Sequence, residues 1–297
     1  MLFRSILHMM TALKHMSPFD VNMALDAGYD ATVPYTDVTL EEVTGLVQDA
    51  MFSRSPRDAL RTGVFIGGKD AFLALDMLEA AGKALLKPFE ISLFADPAGS
   101  FTTAAAMIAV VEKTLREKKK RELRGAKVSV FGATGVVGTA SSVIAALEGA
   151  AVTFVGRDGT ERAARSAAEI KRRFGVSVEV ADGSTPDKKA AIVKETEIAV
   201  CAAKAGVRVL EAAEVAGAAN LVIAADVNAV PPLGVEGVDL HANGAPLGER
   251  GALGIGALAI GNVKYRTESG LFKQMSESKT PLKLDFRQAF ELARTLA

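Results

Sequence analysis

The chain has 297 residues, enough for about two domains of ordinary size. Hydrophobic residues make up 49% of it and charged residues 24%, so a sizeable core can be buried under an ordinary hydrophilic surface. Lys plus Arg and Asp plus Glu balance at 35 each, which leaves no electrostatic case for nucleic acid or an anionic membrane as partner.

In chain order, Ser5 to Met10 reads as a strand. It lies in the apolar stretch Met1 to Met16, but His8, Lys14 and His15 interrupt that stretch and no small-x-small cleavage site follows, so no signal peptide is expected. No apolar run in the chain approaches the length that spans a bilayer. Ser17-Pro18-Phe19-Asp20 opens a helix, with serine at the N-cap, proline at the first helical position and an acid in the first turn. Thr39-Leu40-Glu41-Glu42 has the form of a capping box ahead of an amphipathic stretch to Phe52. Val64-Phe65-Ile66 is a short buried strand ending in Gly67-Gly68, and a helical pattern runs from Asp70 to about Leu86. Ile91 to Phe94 is another strand, ending at Asp96-Pro97. A long helical pattern from Thr102 through Val111 then runs into Arg116-Glu117-Lys118-Lys119-Lys120-Arg121, a solvated helix end.

The pattern restarts after Leu123-Arg124-Gly125, which sets a boundary between a first domain, 1–122, and a second, 123–269. Strands at Lys127–Phe131, Ala151–Val155, Val176–Val180, Ile198–Cys201 and Leu221–Ala225 alternate with helices at Val136–Glu148, Glu161–Phe174, from Thr185-Pro186, and around Leu210. Cys201, the single cysteine, can form no intrachain disulfide and reads as a buried strand thiol of a reducing, cytoplasmic setting. With three scattered histidines it makes no metal site. Asp226 to Gly256 is rich in Gly and Pro and reads as loop, and two helices, Gly256 to Met275 and Asp285 to Leu296, close the chain. Such alternation predicts an α/β protein with mostly parallel sheets covered on both faces. The closing helices, 270–297, are expected to complete the first domain.

The sharpest motif is Gly132-Ala133-Thr134-Gly135-Val136-Val137-Gly138, which follows the strand Val128-Ser129-Val130-Phe131 and precedes a helix of small residues. Gly132 allows a tight exit from the strand, Gly135 removes a side chain where a pyrophosphate approaches, and Gly138 lets the helix pack on the sheet. Free N–H groups at the helix start then bind phosphate. Strand, glycine turn, helix and second strand together predict a Rossmann-type, doubly wound dinucleotide domain. Thr134, Val136, Val137 and Ala203, just past the strand ending at Cys201, join the expected cofactor set. At the end of the second strand, where an acid would hold the ribose 2′-hydroxyl, the chain has Gly156 followed by Arg157 and Asp158. Arg157 favours NADP, since a guanidinium pairs with phosphate, while Asp158 keeps NAD open.

The chain resembles, nearly end to end, the bacterial NAD(P)-dependent methylenetetrahydromethanopterin dehydrogenases. The likeness rests on Ser17-Pro18-Phe19-Asp20-Val21, Phe65-Ile66-Gly67-Gly68-Lys69-Asp70 and Phe101-Thr102-Thr103-Ala104-Ala105-Ala106, then on Ala225 to Gly234 and Gly251-Ala252-Leu253-Gly254-Ile255-Gly256. It is similar, more remotely, to the bifunctional methylenetetrahydrofolate dehydrogenase/cyclohydrolases. The resemblance implies a pterin domain facing the dinucleotide domain across a cleft, and hydride transfer from the substrate's methylene carbon to the nicotinamide in one-carbon (formaldehyde oxidation) metabolism. That carbon lies between two nitrogens whose lone pairs stabilise the resulting cation, so the protein supplies geometry rather than a metal or proton shuttle.

By the same resemblance an aspartate near the end of the first domain's last strand holds the pterin, a role carried to Asp96, where a helix-start acid is the other reading. Thr102, Thr103 and Asp20 stand as substrate donors or acceptors, or as helix caps. The family's lysine after Gly-Ala-Leu-Gly-Ile-Gly has no direct match, since Ala257-Leu258-Ala259 follows Gly256. Lys264 either takes the catalytic place or is a surface lysine. Asn228 sits at a strand's carboxyl end, where ligands bind in open α/β sheets. Two other functions stand beside this one: a methylenetetrahydrofolate dehydrogenase, and a non-catalytic NAD(P)-sensing protein. The folate group's Tyr-x-x-x-Lys motif has no match, since Tyr35 is followed four residues on by Thr39. Helices rich in alanine and methionine are compatible with a homo-oligomer.

Overall fold

The computed structural model describes residues 4–297, so the first three residues of the apolar stretch Met1–Met16 lie outside the described residues. The chain forms two compact units. One runs to Thr102 and takes up Tyr265–Leu292; the other comprises Thr103–Lys264 with Ala293–Ala297. The sequence reading sets its divide at the turn after residue 122 and again at 269. The contacts instead change partner inside two helices, Ser100–Thr114 and Ala257–Glu277.

The first unit begins with β1 (Ile6–Met10), α1 (Pro18–Asp26), β2 (Ala31–Tyr35), α2 (Val43–Phe52), α3 (Pro56–Ala59), β3 (Thr62–Ile66), α4 (Ala71–Ala84) and β4 (Ser92–Ala95). Helix α1 starts as its sequence predicts, with the Ser17 hydroxyl accepting from Asp20 N at 3.4 Å and Pro18 in the first turn. Helix α2 starts later than the capping box predicts. Glu42 does reach back to accept from Thr39 N at 2.7 Å, but that bond closes a turn, and the helix begins at Val43. Strand β2 escapes a periodicity reading because it holds Pro34 and no residue in it is fully buried. A proline is tolerated there because β2 lies at a sheet edge.

After β4 the chain continues through α5 (Ser100–Thr114), a wide turn over Leu115–Lys119, β5 (Lys127–Phe131), α6 (Val136–Leu147), β6 (Ala151–Gly156), α7 (Glu161–Phe174), β7 (Glu179–Asp182), α8 (Pro186–Glu195), β8 (Ile198–Cys201), α9 (Ala212–Gly217) and β9 (Ile223–Asp226). The stretch expected to be loop contains two strands, β10 (Asn243–Leu247) and β11 (Ala252–Ile255). All four β11 residues are buried, and a Cβ on Gly254 would stand 3.1 Å from Val238 Cγ2. Glycine there serves close packing, which a composition reading takes for a turn. α10 (Ala257–Glu277), β12 (Lys283–Leu284) and α11 (Phe286–Leu296) end the chain.

Among the described residues the strands form two sheets. The first unit has five parallel strands in the order β12-β4-β3-β1-β2. Strands β3 and β4 are buried throughout, as expected of parallel strands covered on both faces. Against them Phe272 of α10 packs on Phe65 and Phe94, with ring centroids 5.3 and 5.2 Å away. The second unit has seven strands in the order β10-β11-β9-β8-β5-β6-β7, parallel except for the β10–β11 pair. Successive connections run one way from β5 through β6 to β7, and the other way from β8 through β9 to β11. The topological switch point therefore lies between the carboxyl ends of β5 and β8, the usual ligand position of such sheets.

Candidate functional site

A cavity of about 560 Å³ opens at that switch point, wholly within the second unit. Its floor is the glycine turn after β5. Gly132 has φ +75°, and a Cβ there would stand 2.5 Å from the carbonyl oxygen of Ala202. Its own carbonyl accepts from Gly135 N at 3.0 Å, closing the turn. A Cβ on Gly138 would collide with the same carbonyl and lie 2.8 Å from Ala133 Cα. Both glycines are demanded by the protein's own packing. Gly135 is different: its φ is an ordinary −76°, and a Cβ would touch only Gly132 O, at 3.3 Å. Packing constrains position 135 far less than 132 or 138: a Cβ there would be tight against one backbone oxygen and otherwise face open space.

Helix α6 begins at Val136 with Gly135 as its N-cap and no side-chain cap. The first backbone bond back into the turn is Thr139 N to Gly135 O, at 2.8 Å. The N–H groups of Val136, Val137 and Gly138 thus stand in the first turn at the positive end of the helix, the kind of position that suits phosphate. The Thr139 hydroxyl donates to Ala133 O at 3.0 Å and ties the helix to the turn, while the Ser142 hydroxyl donates back within the helix to Gly138 O at 2.7 Å.

The end of β6 explains why no acid stands where a ribose would bind. A Cβ on Gly156 would collide with the Gly159 carbonyl, because the loop folds back over it with Gly159 at φ +97°. A side chain of any kind is excluded at 156. The next two residues carry the charge instead: Arg157 and Asp158 are 82% and 91% exposed, with Nε and Oδ1 3.9 Å apart, so neither is tied down.

Of the residues expected at the cofactor, Gly132, Thr134, Arg157, Asp158 and Ala203 line this cavity, and Gly135 to Gly138 form the helix start beside it. Four lining cations were not anticipated: Arg162, Lys189, Lys204 and Arg208. Lys189 donates to Val209 O at 2.7 Å and pairs with Glu214 at 3.0 Å. Arg208 Nη1 stands 3.4 Å from Glu236, while its Nε and Nη1 are buried without a hydrogen-bond acceptor. Among the described lining residues Asp158 is the single acid against five cations, a balance suited to a polyanionic ligand. A signal did exist in the sequence, since Lys204 and Arg208 follow a Rossmann strand end within seven residues.

Behind the cavity, Asp226 at the end of β9 is 2% exposed and accepts from Asn228 N at 2.9 Å and Val235 N at 3.0 Å. Burial pushes its carboxyl above the usual range despite those bonds. Burial likewise raises the Cys201 thiol, with the nearby Asp226 adding to it, so this cysteine is no nucleophile. The Asn228 side chain shapes the following loop: Oδ1 accepts from Gly206 N at 3.2 Å and Val230 N at 2.9 Å, and Nδ2 donates to Pro232 O at 2.9 Å.

In the first unit, Asp96 and Thr102 are fully buried and closed on one another. Asp96 Oδ1 accepts from Phe101 N at 2.7 Å and Thr102 N at 3.3 Å, and Oδ2 accepts from the Thr102 hydroxyl at 2.5 Å. The pair caps the start of α5. Asp20 is 1% exposed in the first turn of α1. Thr103 on α5 and Lys264 on α10 are half-buried. Among the described residues no cluster of His, Cys, Asp and Glu could hold a metal ion, and no helix is long and apolar enough to cross a membrane.

Residues 18–98 match the N-terminal model of methylene-tetrahydromethanopterin dehydrogenases. The NAD(P)-dependent methylenetetrahydromethanopterin dehydrogenase of Methylorubrum extorquens is 50% identical over 294 residues, 99% of each chain. The chain belongs to the NAD(P)-dependent methylenetetrahydromethanopterin dehydrogenase family. A second protein of that organism, bifunctional protein MdtA, is 32% identical over 281 residues, 95% of each chain. Among solved structures, shikimate 5-dehydrogenase of Listeria monocytogenes, in complex with shikimate and NAD, has a TM-score of 0.51 at 13% identity, covering 97% of this chain and 96% of that one. This last likeness is one of fold.

Proposed function

We propose that the chain oxidises methylenetetrahydromethanopterin to its methenyl form, with NAD or NADP as hydride acceptor. The observation that carries this reading is 50% identity across 99% of the chain to a dehydrogenase of that name. The geometry of the second unit supports it. The N–H groups of Val136 to Gly138 bind and orient a pyrophosphate, and Gly135 leaves room for it. The exposed Arg157 supplies the guanidinium that a 2′-phosphate needs, and the glycine at 156 withholds the acid that would repel one. When bound, the nicotinamide ring supplies a carbon that accepts hydride.

The chain's own task is placement. No base is needed at the methylene carbon, because flanking nitrogens carry the positive charge, so the protein has to hold two flat rings at reacting distance and keep water out. In this reading Asp20, Thr103, Asn228 and Lys264 remain candidates around the substrate, while Asp96 and Thr102 act on it through the start of α5. The enzyme is a cytoplasmic homo-oligomer in the same reading; the lone, buried Cys201 suits a reducing compartment. The deciding assay crosses methylenetetrahydromethanopterin and methylenetetrahydrofolate with NAD and NADP, following the absorbance of the methenyl product. Turnover of the methanopterin substrate is expected. Turnover of folate alone would make it a methylenetetrahydrofolate dehydrogenase, and NADPH binding without any turnover would make it a sensing protein.

A further inference from the structure

One wall of the dinucleotide cavity is a loop with little structure of its own. After β8 the chain passes Ala202 and Ala203, whose peptide abuts the glycine turn: a Cβ on Gly132 would stand 2.5 Å from Ala202 O and 2.7 Å from Ala203 N. It then turns over Lys204–Val207, with Gly206 at φ +75° and Val207 N donating to Lys204 O at 3.2 Å. Ala203, Lys204, Val207, Arg208 and Val209 all line the cavity. Among the described residues this four-residue turn makes one hydrogen bond outside itself, from Gly206 N to Asn228 Oδ1 at 3.2 Å.

Asn228 stands on the next loop, which leaves β9. Asp226 Oδ1 accepts from Asn228 N at 2.9 Å and Oδ2 from Val235 N at 3.0 Å, so one buried carboxylate fixes both ends of the 228–235 segment. The Asn228 side chain is 6% exposed and shared among three partners. Oδ1 accepts from Val230 N as well as Gly206 N, and Nδ2 donates to Pro232 O. The same loop holds the far side of the turn through Gly234, whose carbonyl accepts from Val209 N at 2.7 Å and Leu210 N at 2.9 Å. Yet among the described residues none between 226 and 235 lines the cavity. Asn228 reaches a ligand there only through the turn that it holds.

We propose that Asn228 is a positioning residue for the dinucleotide, an inference that rests on the cofactor role proposed above. Its Oδ1 pins Gly206 N, which keeps Lys204, within the turn, and Arg208, just past it, on the cavity wall. A glycine-containing turn with a single outside bond has other backbone arrangements within reach once that bond is gone. Apparent affinity then falls in proportion to the fraction of molecules whose wall is in place. Asparagine suits the task because one short side chain both accepts and donates, and its bond to the N–H two residues on sets the angle of the amide.

Two variants of the full-length protein test it. Asn228→Ala removes the brace, while Asn228→Asp keeps both acceptances and loses the donor to Pro232 O. In fluorescence titrations the alanine variant should bind NADPH and NADH about five- to tenfold more weakly, with KM for the methylene substrate at saturating cofactor within about twofold of wild type. Hydrogen exchange, read by mass spectrometry on peptides covering 202–208, should quicken in the alanine variant and slow in wild type when NADPH is added. The aspartate variant should bring both readouts back to within about threefold of wild type. A role in folding alone would instead lower Tm and move the cofactor and pterin constants together, with no return in the aspartate variant, and that pattern overturns the proposal. So does an alanine variant with wild-type cofactor affinity, or one that raises only the pterin KM, which would set Asn228 against the substrate. If the alanine variant does not fold, the exchange data decide: protection of 202–208 by NADPH in wild type and aspartate variant alike supports the brace, and its absence from wild type refutes it. A wild type that binds neither nucleotide sinks the cofactor role itself, and the brace with it.

Discussion

The Thr102 hydroxyl donates to Asp96 Oδ2 across 2.5 Å, and neither side chain reaches solvent. The bond joins the end of β4 to the first turn of α5, so its first consequence is for stability. Thr102→Val keeps the shape and removes the donor, leaving a buried carboxylate oxygen short of a partner. We expect a loss of about 1–3 kcal/mol in urea unfolding, with NADPH affinity unchanged. An unchanged unfolding curve together with a raised substrate KM would instead place Thr102 in direct contact with the substrate.

Gly132 and Gly135 separate packing from ligand approach. Gly132→Ala places a methyl group where Ala202 O stands 2.5 Å away, on a backbone at φ +75°. It should destabilise the fold by at least about 2 kcal/mol. Gly135→Ala meets only Gly132 O at 3.3 Å and should melt within about 0.5 kcal/mol of wild type. Its effect falls on the cofactor, with NADPH binding weakened about tenfold as the methyl enters the pyrophosphate approach. A Gly135→Ala protein that binds NADPH at wild-type affinity would remove the phosphate role from this turn.

The role proposed for Arg157 is to favour NADP over NAD. Its side chain is 82% exposed and tied to no strong partner, so Arg157→Ala should leave stability untouched. NADP affinity should fall about tenfold or more, and NAD affinity by less than about twofold. Equal losses for the two cofactors, measured by fluorescence titration of NADH and NADPH, would refute the assignment.

Acid stability has a named contributor in α7. Glu169 accepts from Arg172 at 2.6 and 2.9 Å, and from Arg173 as well, which holds its carboxyl down to about 2 from an ordinary 4.5. A lowered pKa in the folded state means stability that is present above 4.5 and is lost as pH falls through about 2. Glu169→Gln should therefore melt below wild type at neutral pH, with the gap closing as the pH approaches 2. A gap of constant size across that range would show that the charge is not its source.

Local signals carried much of the fold because they depend on neighbours in sequence. Ser17-Pro18 for α1, Thr185-Pro186 for α8 and the acid-to-base gradient of Glu161–Phe174 each satisfy or complement helix ends within one or two turns. Strands that owe their place to distant partners were harder to read. β10 and β11 hide in a glycine-rich stretch because Gly254 answers to Val238, and β2 hides behind Pro34 because only its edge position makes a proline harmless. The unforeseen cations Lys189 and Arg208 belong to α8 and the loop after β8, segments that meet at the cavity only when the sheet is assembled.

By itself the sequence determined that a glycine turn leads from the strand Lys127–Phe131 into a helix, since strand, glycines and helix lie within about twenty residues and need no tertiary partner to be recognised. It also carried the family strings. Tertiary structure alone decided what those residues do: that Gly156 admits no side chain because Gly159 folds over it, that Asp96 is sealed by Thr102, and that Lys69 and Asp70 stand at the mouth of a cavity. The reason is physical. A residue's chemistry is written in its side chain, but its availability depends on which backbone and side-chain atoms fill the few ångströms around it, and those come from segments far away in the chain.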